Sequence, residues 1–169
     1  MRREISAVRI LPMSDKAKGF RGRSIADVQA KCFLRDLPAC NGRYRYPSSG
    51  LSADPGTIVL FQYRARIIAS AVFLRDEKFE KPLGGYGGAM YFDPASIRTF
   101  NPLDVEAMRK VWPSFRGFGH VKQFLNPTLY RAFTRRLKHV KSPGRQKPAL
   151  RQRRRRAASR FASSADVSV

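Results

Sequence analysis

The chain has 169 residues, 43% of them apolar, which is enough for one cored domain and excludes disorder throughout. Its 34 lysines and arginines oppose 12 acids, a net charge of +22 that favours polyanionic partners, nucleic acid above all. No apolar run approaches the ~18 residues of a membrane span, and the basic N-terminus lacks the apolar stretch of a signal peptide, so a cytoplasmic protein with no membrane partner is expected.

Residues 5–11 alternate in part and end at Pro12, a first strand. A polar connector carrying KAKGFRGR follows. Ser24 is a helix cap, and Ile25, Val28, Cys32 and Phe33 keep helical spacing to about Leu37, with Pro38 as the stop. Residues 41–54, NGRYRYPSSGLSAD, are rich in turn formers and read as a long loop. The densest apolar run comes next, PGTIVLFQYRARIIASAVFL. Its β-branched and aromatic content predicts two strands, 57–63 and 66–74, although no Gly or Asn serves the tight turn between them. A single buried helix is the rival reading. Neither strand alternates cleanly, so both should be covered on two faces.

Residues 75–81 form a charged strand end, and GGYGG at 84–88 reads as a flexible loop holding Tyr86. Residues 89–92 are a short strand, Asp93-Pro94 a turn, and 96–100 a further pairing segment. Asn101-Pro102 and Asn126-Pro127 each read as helix openers. Residues 115–125 read as either strand or loop. From Lys138 the pattern dissolves: residues 138–160 hold ten basic residues and no acid. The expected organisation is a domain over 1–137, itself 24 basic against 11 acidic, and a disordered Arg/Lys-rich tail over 138–169.

The phrase ADPGTIVLFQYRARIIASAVF, followed by MYFDPASIRTFNPL, resembles the PUA-like group of small β-barrels, whose relatives include the EVE, ASCH and YTH domains. The resemblance is architectural and covers roughly residues 1–137. It implies an α+β fold, a small mixed β-barrel with short flanking helices. It also implies binding of RNA or of modified bases in RNA or DNA, in several relatives with an extruded base in an aromatic pocket. The chain has one tryptophan, Trp112, so it departs from a cage of two or three.

Rings interleaved with bases suit single-stranded or extruded nucleotides, since rings stack on base faces while arginines hold phosphates. The candidates are Arg43, Tyr44, Arg45 and Tyr46 in the long loop, Tyr63 and Arg64 at the hairpin, Tyr86 in the glycine loop, and Trp112. Arg153, Arg154, Arg155 and Arg156 would form a phosphate-binding arm with little sequence preference. The blander readings are that the tyrosines pack the loop onto the barrel, that Trp112 plugs the core and that the basic residues form a solvated surface. Phe61, Phe73, Phe92, Phe124 and Phe133 read as core.

Enzymatic signals are thin. Cys32 and Cys40 lack metal-pair spacing and have no recognisable histidine partner; free thiols are expected, a disulfide being the alternative. GGYGG lacks the lysine of a phosphate loop. Asp54, Asp76 and Lys78 are the best case for a metal-dependent nuclease. The leading expectation is therefore a non-catalytic nucleic-acid-binding domain without cofactor or metal. A small nuclease or RNA-processing enzyme, and a basic protein docking on a ribosome or an acidic partner, are the alternatives. The sequence leaves oligomeric state open.

Overall fold

The computed structural model describes residues 5–144 and shows an α+β fold built on a seven-stranded mixed sheet with short helices. The central hairpin is the predicted one. Strand β3 (Ile58–Tyr63) pairs antiparallel with β4 (Arg66–Leu83). The two-residue turn between them places Arg64 and Ala65 at φ 47° and 53°, left-handed backbone adopted without the usual Asn-Gly.

Strand β1 (Val8–Pro12) lies parallel to β3, with Arg9 beside Val59 and Leu11 beside Phe61. The connection between these parallel strands carries the helical segment. There α1 (Ile25–Asp27) starts on Ser24, whose hydroxyl accepts from Asp27 N. Residues Val28–Asp36 continue in a wider π winding, and α2 (Leu37–Ala39) closes it. Pro38 therefore lies inside the helical stretch, in the first turn of α2, where a missing N–H is tolerated.

Both faces of β3 are covered, as the unbroken apolar run implied. Val59, Phe61 and Tyr63 join one core with Leu11, Val28, Phe33, Ile68 and Phe92. Ile58 and Leu60 join a second with Val8, Ile10, Phe100, Met108, Trp112 and Phe133. Ile68 is the extra residue where the register with β3 shifts, and opposite β6 (Arg98–Leu103) it faces the three residues 100–102 where that register shifts as well. Its carbonyl accepts from Gln29 Nε2 at 2.8 Å, and the same amide reaches Phe100 O at 2.7 Å, so the helical segment satisfies the bulge.

On its edge away from β3, strand β4 serves two neighbours along its length. Its first half pairs with β6 and its second half with β5 (Tyr86–Phe92). The order is β2-β5-β4-β3-β1-β7, with β2 (Arg43–Tyr46) and β7 (Gln123–Leu125) at the ends. These pairings leave an open path rather than a closed barrel.

Further expectations are corrected. Residues 43–46 form a strand, not loop, because Arg43-Tyr44-Arg45-Tyr46 has the period of two that pairs with β5. Only Gly84 and Gly85 turn, at φ 60° and 85°; Tyr86, Gly87 and Gly88 belong to β5. Asn101-Pro102 lies in β6, off the main path, where proline is tolerated. The cap of α3 (Val105–Arg109) is Asp104, accepting from Ala107 N at 2.9 Å. Phe124 is not core but 73% exposed. Asn126 does open a helical stretch, a 3-10 turn leading into α4 (Tyr130–Arg136). The chain stays paired past residue 137: Thr99 and Lys141 exchange backbone hydrogen bonds, and Asn101 N donates to Lys138 O.

Candidate nucleic-acid interface

Alternation sorts the residues of β2, β5 and β4 onto two faces. Tyr44, Met90 and Asp76 are in register on one face, with Tyr46, Gly88 and Lys78 next to them. Arg43, Tyr91 and Arg75 form a row on the other, followed by Arg45, Ala89 and Glu77. The first face is turned inward at Tyr44, Tyr46, Gly88 and Met90, while Asp76 and Lys78 on β4 are exposed. The second is outward: Arg43, Arg45, Arg75 and Glu77 are all exposed.

The outward row is organised. The Arg75 guanidinium carbon lies 3.7 Å from the centre of the Tyr91 ring. Tyr91 donates its hydroxyl hydrogen to Glu77 at 2.8 Å, and Arg75 Nη1 reaches the same carboxylate at 3.3 Å. The Tyr91 hydrogen bond, then Arg75, hold the Glu77 carboxyl below its ordinary range. Arg45 lies 5.8 Å from the centre of the half-buried Tyr86 ring. Glu77 thus orients the row while three arginines leave it net positive. Arginine planes on rings, with free arginines beside them, provide both base stacking and phosphate contact.

The expected residues divide accordingly. Arg43 and Arg45 lie on this outward surface, whereas half-buried Tyr86 has the alternation of Gly88 and Met90 and meets only Arg45, at the strand end. Tyr44 packs onto the first core, 6.1 Å from Phe61 and 6.4 Å from Phe92 between ring centres, and burial raises its hydroxyl pKa. Tyr46 is buried, and its hydroxyl donates to Asp76. Tyr63 is fully buried and bonds Phe20 O and Arg23 O; Arg64 is exposed at the hairpin tip. Trp112 is a core residue, 5.3 Å from Phe133, with Nε1 donating to Asn126 O. Tyr46, Tyr63 and Trp112 therefore present no free ring face, and Tyr44 is half-buried against the core. Arg153, Arg154, Arg155 and Arg156 lie outside the described residues. Tyr91 and Arg75 were missed, although their alternation with Met90, Phe92 and Phe73 was the available signal.

A second basic feature surrounds residues 47–54. Lys122 Nζ donates to Ser49 O, Ser49 Oγ and Gly50 O, and Arg9 Nη1 donates to Ser52 O. Leu51 anchors the segment in the core. Beneath it, Ala7, Arg9, Ser52, Ala53, Asp54, Thr57 and Phe124 line a cavity of about 280 Å³. Asp76 and Lys78 line a different cavity, so Asp54 does not join them. Among the described residues, no three His, Cys, Asp or Glu side chains are grouped to hold a metal. Burial pushes the Cys32 thiol up to about 12, which suppresses the thiolate a nucleophile requires; both cysteines are free. No helix among the described residues is long and apolar enough to cross a membrane. Comparison with protein-family models, with curated proteins and with solved structures finds no match to this chain.

Proposed function

We propose that this is a non-catalytic nucleic-acid-binding domain, a PUA-like module that engages single-stranded or locally opened RNA or DNA in the cytoplasm. The observation that carries the reading is the outward row of Arg43, Tyr91 and Arg75 with Arg45 beside it. Arg75 covers one face of Tyr91 and offers its own outer face to a base, while Arg43 and Arg45 are placed for phosphates. The basic tail would add phosphate contacts without sequence preference.

The PUA-like assignment draws support from the parallel β1–β3 pair joined through a helical segment, and from the long β4 shared by β5 and β6. The open strand path sets this domain apart from a fully hydrogen-bonded barrel. Fluorescence anisotropy with labelled single-stranded RNA and DNA tests the function. Arg75→Leu is expected to weaken binding by roughly tenfold, about the worth of one stacking contact. Unchanged affinity in this variant would remove the proposed face.

A further inference from the structure

The cavity beneath residues 47–54 holds a donor set that the sheet face does not use. Arg9 is 6% exposed and Thr57 1% exposed, and both line it. Among the described residues, Arg9 Nε and Thr57 Oγ1 have no hydrogen-bond partner. Other groups of both residues are engaged. Arg9 Nη1 bonds Ser52 O, the Thr57 amide bonds Asp54 O, and Thr57 O accepts from Phe73 N. The Arg9 guanidinium carbon also lies 3.6 Å from the centre of the Phe124 ring, which fixes the head group at the cavity wall.

Buried donors without acceptors destabilise a fold, and a ligand bringing acceptor oxygens recovers that loss. A guanidinium and a hydroxyl in one recess match the oxygens of a tetrahedral oxyanion. The space exceeds what such a group fills, and Phe124 at its edge is an exposed flat ring suited to an adjoining base. We infer that the Arg9–Thr57 cavity binds a phosphate monoester, the terminal phosphate of a nucleic-acid strand, with the terminal base against Phe124. The phosphate site stands on the cavity itself; its attachment to a strand rests on the function proposed above. Asp54, exposed on the lining, is the one acid there and opposes the dianion.

The full chain is titrated with a short single-stranded oligonucleotide bearing a 5′-phosphate, a 3′-phosphate or hydroxyl ends only, and with inorganic phosphate as competitor. One phosphorylated form should bind about tenfold more tightly than the hydroxyl-ended strand, as one charge-assisted hydrogen-bond set allows. Inorganic phosphate should abolish that advantage. Thr57→Val should also abolish it while leaving the hydroxyl-ended strand unaffected, and the exposed Asp54→Asn should enlarge it. Equal affinities for all three strands, with no effect of inorganic phosphate on the thermal midpoint, would mean water alone fills the cavity and overturn the inference. If no strand binds but inorganic phosphate raises the midpoint of the native chain and not of Thr57→Val, the phosphate site holds and the nucleic-acid reading fails.

Discussion

The Tyr46 hydroxyl donates to Asp76 Oδ1 at 2.8 Å, joining β2 to β4 across the strand that separates them. The bond passes over Gly88, where an added Cβ would collide with the Tyr46 hydroxyl and with the Glu77 carbonyl. Gly88→Ala should therefore destabilise the fold by about 1–3 kcal/mol, the usual cost of overpacking. Chemical denaturation measures it.

Burial, reinforced by the bond to Asp76, pushes the Tyr46 hydroxyl up to about 12 from an ordinary value of 10. Its folded-state pKa is raised, so its contribution to stability is complete below pH 10 and is lost as pH rises toward 12. Tyr46→Phe removes that contribution. The stability gap between native protein and variant should be constant from pH 7 to 9 and should shrink above pH 10. A gap independent of pH across that window would show that the hydroxyl ionises as freely folded as unfolded.

Tyr63 is a core residue and Tyr44 packs half-buried against the same core, so their truncation is a stability experiment. Tyr63→Ala should cost roughly 3 kcal/mol or more, as removal of a packed ring does, and the half-buried Tyr44→Ala should cost less. What remains folded should bind nucleic acid normally. Early unfolding with intact binding separates these rings from the outward face; normal stability with lost binding would restore Tyr44 to that face.

The hairpin turn carries two residues in left-handed backbone, Arg64 and Ala65. Glycine adopts this conformation without the Cβ clash that costs an L-residue roughly 1–2 kcal/mol, less the extra entropy it brings to the unfolded chain. Ala65→Gly should raise stability by about 0.5–1 kcal/mol. An unchanged or lower denaturation midpoint would show that the turn is not left-handed at this position.

The end of the domain is similarly testable. Truncation after Gly144 keeps the Thr99–Lys141 pairing, whereas truncation after Leu137 removes it together with the Lys138 carbonyl that Asn101 uses. The longer form should retain the native thermal midpoint and the shorter should lose several degrees. Equal midpoints would place the structural boundary at 137 after all.

The sequence made the central hairpin legible because β-branched and aromatic residues crowd residues 57–74, and their poor alternation marked two covered faces. Ser24 and Asn126 were readable as caps because a short side-chain acceptor stands one residue before a helical pattern. Strand β2 was misread for a physical reason. Arg43-Tyr44-Arg45-Tyr46 sits among turn formers, yet four alternating residues suffice when β5 supplies the partner edge. Reading it as loop placed both tyrosines at the surface, when alternation sends them inward and the arginines outward. Arg9 and Phe124 could not be joined from sequence, since their pairing exists only once β7 returns to the edge of β1. Asn101-Pro102 looked like a helix start, but it lies within β6, between the β4-paired Thr99 and Leu103, and Asp104 provides the cap.

The most direct test of the account is the salt dependence of single-stranded nucleic-acid binding for the native chain and an Arg43→Gln/Arg45→Gln variant. Both arginines are exposed, so the variant should stay within about 0.5 kcal/mol of native stability per site. If they contact phosphates, affinity should fall most at low salt, and the slope of log K against log salt should become shallower by ~0.7 for each charge removed. Superimposable slopes and affinities would contradict the claim that this sheet face meets nucleic acid.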